Sequence, residues 1–377
     1  MSGHPSPALK RATKKSQTHP LAGANWGTLI RTLGQNGGVS YDQLWPLMKI
    51  VAACLGRLPF TLLERGWVSL AEANYPEPTD PIFILGHWRS GTTHLYNVLS
   101  KSPQFGYTPP IATGIPWDML LIGRLFRPLL ERSLPDERFI DNIPVNPDSP
   151  QEDEIGLASM QLISFYHGMY FPKAFDLNFE KGVYFEGVTK KEAETWERRF
   201  RLFMRKQQSL FPDRQLIIKN PVYTARPKHL LKIYPQAKFI NIVRNPYVVF
   251  HSMRNFYKKL ITQFSLQTGV MIDIDKVILR ELPKILNACE EQTSNLPSAQ
   301  IVNLRYEDLE RDPLGQLEKI YHQLALPHYD TSIKIFQNYL RSVKTYQKNR
   351  YTFKEADHQL VEQHWQPLLQ RLGYSRP

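Results

Sequence analysis

The stretch Ile82-Phe83-Ile84-Leu85-Gly86-His87-Trp88-Arg89-Ser90-Gly91-Thr92-Thr93 decides the fold. Four consecutive apolar residues predict a short buried strand, and His94 to Ser100 reads as the helix after it. Backbone N–H groups at a helix N-terminus are unpaired and lie at the positive end of the helix dipole. A loop that turns at Gly86 and Gly91 can therefore wrap an anion, and a phosphate-type group is the expected occupant. Its holders are Gly86, Arg89, Ser90, Gly91, Thr92 and Thr93.

The spacing Gly-x4-Gly-Thr-Thr is close to that of a nucleotide P-loop, but Thr92 stands where the lysine that reaches the β and γ phosphates of ATP would be. Arg89 supplies a cation two positions before Gly91, and its planar fork can bridge two oxygens. Three further segments repeat the strand-then-helix pattern. Leu216-Ile217-Ile218 runs into Lys219-Asn220-Pro221, with a helix from Arg226 to Tyr234. Phe239 to Val243 delivers Arg244-Asn245-Pro246, followed by a helix from Tyr247 to Leu260. Ile301 to Leu304 leads into Arg305-Tyr306-Glu307-Asp308-Leu309, then Asp312-Pro313 and a helix to Leu324. Such alternation predicts a three-layer, P-loop-like α/β domain with a mainly parallel sheet, its ligand at the edge where the loop, Lys219, Arg244 and Arg305 emerge.

Trp-Arg-Ser-Gly-Thr-Thr after a strand resembles the 5′-phosphosulfate loop of sulfotransferases, which use 3′-phosphoadenosine 5′-phosphosulfate (PAPS). In that family an arginine after a later strand and a serine eight positions on hold the 3′-phosphate, and Arg244 and Ser252 repeat that spacing. The Tyr-Glu-Asp-Leu segment also matches, which implies that Tyr306 borders the adenosine. The resemblance runs from about Pro81 to Tyr374 and is nearest to the large bacterial family with a Pro-Gln-Glu-Asp-Glu block, here Pro150 to Glu154. Cytosolic members lay a basic C-terminal loop over the 3′-phosphate. The Arg-Lys-Gly form of that loop is absent here, and Lys348 and Arg350 are the candidates. The resemblance implies transfer of a sulfuryl group from PAPS to a hydroxyl or amine of a small-molecule, lipid or carbohydrate acceptor, without a metal.

No obvious catalytic histidine accompanies these motifs, so the base is sought in the acidic block. Ser149 as N-cap, Pro150 in the first turn and Glu152 three residues after the cap read as a capping box. That leaves Glu154 or Asp153 as the preferred general base, with Glu152 next, because a carboxylate desolvated in an apolar pocket can titrate near neutrality. His167, near the end of a helix expected over Ile155 to Tyr170, is a further candidate. Lys219, Arg89, Thr92 and Thr93 are expected to meet the charge that builds on the bridging oxygen of the departing nucleotide.

The chain has 377 residues, 42% of them hydrophobic, enough for one large core. Residues 1–20 read as a disordered basic tail, 21–80 as a helical segment and 81–377 as the catalytic domain. A helical insertion is expected between Phe264 and Leu296, and the Pro-rich stretch from Phe105 to Pro150 as irregular cover over the acceptor. Two cysteines far apart support neither a disulfide framework nor a zinc cluster, and fit the reducing cytoplasm. The net charge of +12 suits a ligand with several phosphate-type charges. No apolar run reaches the roughly 18 uninterrupted residues that span a bilayer. The nearest, Leu44 to Leu63, is broken by Pro46, Lys49 and Arg57. Its Leu44, Leu47, Met48, Val51 and Leu55 lie at helical spacing, which predicts a face packed on the core and leaves a helix at a membrane surface, in peripheral contact, or one at the substrate entry as the alternatives.

Two rival functions fit less well. A P-loop kinase or NTPase needs a lysine in the loop and a magnesium-binding aspartate at a strand end, where this chain has Thr92 and Arg244. A nucleic-acid binder would show a Lys/Arg stripe with exposed aromatics. Here the basic residues are scattered or sit beside the phosphate motifs, so no nucleic-acid partner is expected.

Overall fold

The computed structural model describes residues 18–70, 75–125, 128, 147–343 and 353–377. Within them five strands form one parallel sheet in the order β2-β3-β1-β4-β5. The strands are β1 (Ile82–Leu85), β2 (Phe105–Gly106), β3 (Gln215–Lys219), β4 (Lys238–Val243) and β5 (Ile301–Arg305). Four of them are the expected apolar runs. The fifth, β2, is two residues long and carries no sequence pattern of its own; pairing to β3 makes it a strand.

Alternation along each strand sends side chains to both faces, and both are covered, which is why the strands read as continuous apolar runs. Ile82, Ile84, Ile217, Ile240 and Ile242 pack with Leu95 and Leu99 of the helix Thr92–Leu99 and with Leu317 and Ile320 of the helix Pro313–Gln323. Phe83, Leu85, Leu216, Ile218 and Phe239 pack on Trp196, Phe200 and Phe203 of the helix Lys190–Leu210. Phe83 is fully buried between these layers, a contribution of about 2 to 3 kcal/mol by transfer of its ring alone.

A second core lies beside the sheet, where Leu21, Leu29, Ile50 and Cys54 meet Phe250 and Met253 of the helix Pro246–Phe264 and Trp365 of the helix Glu355–Leu372. His19 anchors the start of this region. Its Nε2 is 3.0 Å from the carbonyl oxygen of Phe264, and its ring meets Tyr170 edge-on at 4.7 Å. His19 lies inside the stretch 1–20 expected to be tail; residues 1–17 of that stretch fall outside the described residues.

Two helices differ from expectation. Ile155 to Tyr170 is not continuous: it divides into Asp153–Leu157 and Phe165–Tyr170. The second is restarted by Ser164, whose hydroxyl accepts from the N–H of Tyr166 at 3.2 Å. The larger difference is the helix Leu44–Leu70. Leu44, Met48 and Leu55, expected against the core, are exposed, while Ile50, Cys54, Thr61, Glu64 and Val68 face inward. Inward charges decide this orientation, because a buried charge needs a partner. Glu64 pairs with Lys206 at 2.7 Å; Arg57 pairs with Asp118 and donates to the carbonyls of Ala22 and Ala24 at 2.6 and 2.7 Å.

Candidate active site

β1 ends at Leu85, and the next residue begins the loop at the C-terminal edge of the sheet. Gly86 donates its N–H to the Thr224 hydroxyl at 2.8 Å. Its φ is +139°, and a Cβ there would stand 2.5 Å from the Ile242 carbonyl oxygen. Gly91, at φ +96°, caps the helix Thr92–Leu99. A Cβ at that position would lie 2.1 Å from the Tyr306 ring. Both positions therefore admit only glycine without rearrangement. Arg89 between them also has positive φ, +71°, a strained conformation of the kind that clusters at functional sites. The Ser90 hydroxyl is buried and has no hydrogen-bond partner among the described residues. An orphaned hydroxyl in a loop that leads into a helix N-terminus fits a phosphate-type oxygen.

The cations gather on the β4 side of this loop. Arg244 follows β4, donates from Nη1 to the Arg89 carbonyl at 3.2 Å and lies 4.3 Å from the Tyr306 ring centroid. Arg89 Nε donates to the Ser252 hydroxyl at 2.8 Å. Ser252 is buried on the helix Pro246–Phe264, whose start is set by Asn245 accepting from the N–H of Tyr247 and by Pro246 in the first turn. Sequence reasoning assigned Arg89 to one end of the nucleotide, and Arg244 and Ser252 to the other. The folded chain joins all three with Tyr306 in one cluster.

On the opposite side, β3 lies next to β1 with Lys219 in register with Ile84, so the lysine emerges beside the loop. Its Nζ donates to Glu152 Oε1 at 2.5 Å, and the Tyr166 hydroxyl donates to Glu152 Oε2 at 3.0 Å. This departs from the capping-box expectation. The helix starts at Asp153, Glu152 is its N-cap, and no side chain caps it. The Glu152 carboxylate turns to Lys219 because a buried lysine offers a stronger partner than a backbone N–H.

Asp153 and Glu154, the preferred bases, are buried inside the domain. Asp153 accepts from the Tyr223 hydroxyl, and burial pushes its carboxyl up to about 8 against that bond. Glu154 accepts from Ser164 Oγ at 2.7 Å and from Asn220 Nδ2 at 3.1 Å. Burial raises its pKa as well, opposed by the nearby charge of Arg226. His167 is fully buried, with Nε2 2.8 Å from the Ala158 carbonyl oxygen, and burial lowers it to about 4. Arg305 leaves the edge by another route: it stacks on Tyr374 at 4.0 Å and donates to the Gly373 carbonyl at 3.2 Å. Lys348 and Arg350 fall outside the described residues.

Two members of the site escaped sequence reasoning. Thr224 carried a faint signal, since it follows Lys219-Asn220-Pro221 at a strand end. Tyr166 lies in an apolar stretch that reads only as core.

Residues 81–331 match the profile of a family described as the sulfotransferase family. Over 98% of its length the chain is 31% identical to omega-hydroxy-beta-dihydromenaquinone-9 sulfotransferase Stf3 of Mycobacterium bovis, covering 96% of that protein. The Stf3 of Mycobacterium tuberculosis matches to the same extent. Among solved structures, sulfotransferase STF9 from Mycobacterium avium superposes with a TM-score of 0.64 at 13% identity, over 96% of this chain and 98% of that one. STF1 from Mycobacterium tuberculosis superposes with a TM-score of 0.60 at 18% identity, over 90% of each chain. These two superpositions concern the fold.

Proposed function

The chain belongs to the sulfotransferase family, and from that premise we propose that PAPS is its donor and that its acceptor is the hydroxyl of a long, apolar, prenyl-quinone-type lipid. The observation that carries the donor is the meeting of Arg89, Arg244, Ser252 and Tyr306 beside a loop whose buried Ser90 hydroxyl has no partner among the described residues. Two guanidinium groups and an aromatic face are the chemistry that an adenosine carrying phosphates at both ends requires. The acceptor class rests on the likeness to Stf3, whose named substrate is an omega-hydroxy-beta-dihydromenaquinone-9.

The acceptor oxygen attacks sulfur in line. The new O–S bond forms as the bond from sulfur to the bridging phosphate oxygen breaks, and 3′-phosphoadenosine 5′-phosphate leaves with the electron pair. In this reading Lys219 and the N–H groups of Thr92 and Thr93 meet the charge that develops on that oxygen. The acceptor proton goes to Glu152. This assignment is supported by position: Glu152, held by Lys219 and Tyr166, is the acid tied to the lysine that emerges beside the loop, whereas the partners of Asp153 and Glu154 are Tyr223, Ser164 and Asn220.

The test is sulfate transfer from labelled PAPS to hydroxylated prenyl quinones, phenols, sugars and peptides in parallel. Transfer to the prenyl quinone alone is expected. Transfer to a phenol or sugar with none to the lipid would overturn the acceptor class, and stabilisation by ATP with magnesium but not by the bisphosphate product would overturn the donor.

A further inference from the structure

The helix Leu44–Leu70 is inverted relative to an ordinary surface helix. Its inward side holds Arg57 and Glu64 in buried ion pairs, and its outward side is apolar. At about 100° per residue, Trp45, Met48, Leu55, Pro59, Leu62 and Leu63 share the outward arc, and no charged residue interrupts it. Trp45 is 64% exposed, Met48 60% and Leu63 63%. A soluble surface rarely leaves so long an apolar row in water without a partner for it.

The surroundings indicate what covers this row. Lys49 lies at its edge with Nζ 5.3 Å from the Trp45 ring centroid. On the flank, Arg65 and Arg199 sit against the Trp117 ring at 5.7 and 4.6 Å. Arg31 completes the group: burial, and then Arg65 and Arg31, push Arg199 down to about 10. Among the described residues no carboxylate pairs with Arg31, Arg65 or Arg199. An apolar stripe with tryptophan and unneutralised cations beside it is the pattern of a helix that lies in a membrane interface and meets anionic headgroups.

By length and composition the same helix is long enough to cross a bilayer. Its packing opposes that. Arg57 and Glu64 are tied to Asp118 and Lys206 of the folded domain, so a spanning helix would drag these charges and the domain into hydrocarbon. We propose that the outward face of the helix Leu44–Leu70 docks the protein on the surface of an anionic lipid bilayer, parallel to the plane, with Trp45 and Leu63 inserted and Lys49, Arg31 and Arg65 at the headgroups.

This inference does not depend on the acceptor, so it is tested without donor or acceptor present. The full chain is floated with vesicles of phosphatidylcholine containing about a third phosphatidylglycerol, and with pure phosphatidylcholine vesicles. Wild type is expected to float with the mixed vesicles, less with the neutral ones, and with a blue-shifted tryptophan emission. Both substituted sites point away from the domain, so W45E/L63E is expected to keep its melting temperature while its partition coefficient falls on the order of tenfold or more. R31Q/R65Q is expected to lose the preference for anionic lipid and retain part of the binding. Absence of flotation by wild type, equal flotation by W45E/L63E, or a concentration-dependent dimer abolished by W45E/L63E without vesicle binding would each overturn the proposal, the last in favour of a second copy of the chain.

Discussion

Nε of Arg89 donates to the Ser252 hydroxyl across 2.8 Å, joining a loop after β1 to a helix after β4 that is 163 residues away in the chain. With Arg244 bonded to the Arg89 carbonyl, two strand ends are tied to each other through the groups proposed to hold the donor. Arg89 is thus tied to the Arg244 side of the loop, a position that its place between Gly86 and Gly91 does not reveal.

Arg244→Ala is expected to lose at least about 2 kcal/mol of donor binding, the scale of a charge-assisted contact to a multiply charged ligand. It is also expected to lose discrimination between 3′-phosphoadenosine 5′-phosphate and adenosine 5′-phosphate. Because Arg89 reaches Ser252, Arg89→Ala should lose part of that discrimination too. Calorimetry with both nucleotides reads the ratio, and an unchanged ratio in Arg244→Ala would move the 3′-phosphate elsewhere.

Gly91→Ala should weaken both fold and site, because the residue has φ +96° and the Tyr306 ring occupies the space of its Cβ. A loss of about 1 to 3 kcal/mol in stability is expected, with weaker nucleotide binding as Tyr306 is displaced. Adding Tyr306→Ala removes the clash but not the backbone strain, so the double variant should regain only part of the melting temperature. Full recovery would show that the ring contact, and not the left-handed backbone, demands glycine.

What was legible in the sequence follows from the range of the interactions involved. Ile82 to Leu85 and the glycine loop could be read because a buried strand and its turn are written in adjacent residues. Arg244 and Ser252 were picked out by the family resemblance, through a spacing that runs from the end of β4 into the helix Pro246–Phe264, and the structure brings them together at Arg89. The orientation of Leu44–Leu70 was not, because the apolar spacing defines a stripe without saying which medium it faces; Asp118 and Lys206, far along the chain, turn Arg57 and Glu64 inward. Glu152 misled for a related reason. A local capping box competes with a lysine 67 positions on, and the buried lysine prevails.

Asp153 predicts a pH dependence of stability. Burial raises its carboxyl from 3.8 to about 8 in the folded protein, so between these values the folded state holds a proton that the unfolded state has released. Stability from this group is therefore full below about pH 4 and is lost as pH rises towards 8. Asp153→Asn, which cannot titrate, should flatten that part of the profile. Chemical denaturation of both proteins from pH 5 to 8.5 measures it; parallel slopes would mean that Asp153 is ionised throughout.

The base is the remaining question, and the three adjacent acids give it a sharp form. If Glu152 takes the acceptor proton, Glu152→Gln keeps the shape of the side chain, can still accept a hydrogen bond from Lys219 and cannot take up a proton. Turnover should fall on the order of 10²-fold or more with donor affinity nearly unchanged. Glu154→Gln should behave differently. Its carboxylate is enclosed by Ser164 and Asn220, so the expected loss is in melting temperature, with the turnover of the folded enzyme close to wild type. Lys219→Met would leave Glu152 buried without its cation, which costs about 3 to 5 kcal/mol where one partner of a buried pair is removed, and should lower stability and turnover together. Near-normal turnover in Glu152→Gln beside a hundredfold loss in Glu154→Gln at unchanged melting temperature would transfer the role to Glu154, and the proton would then have to reach it past Ser164.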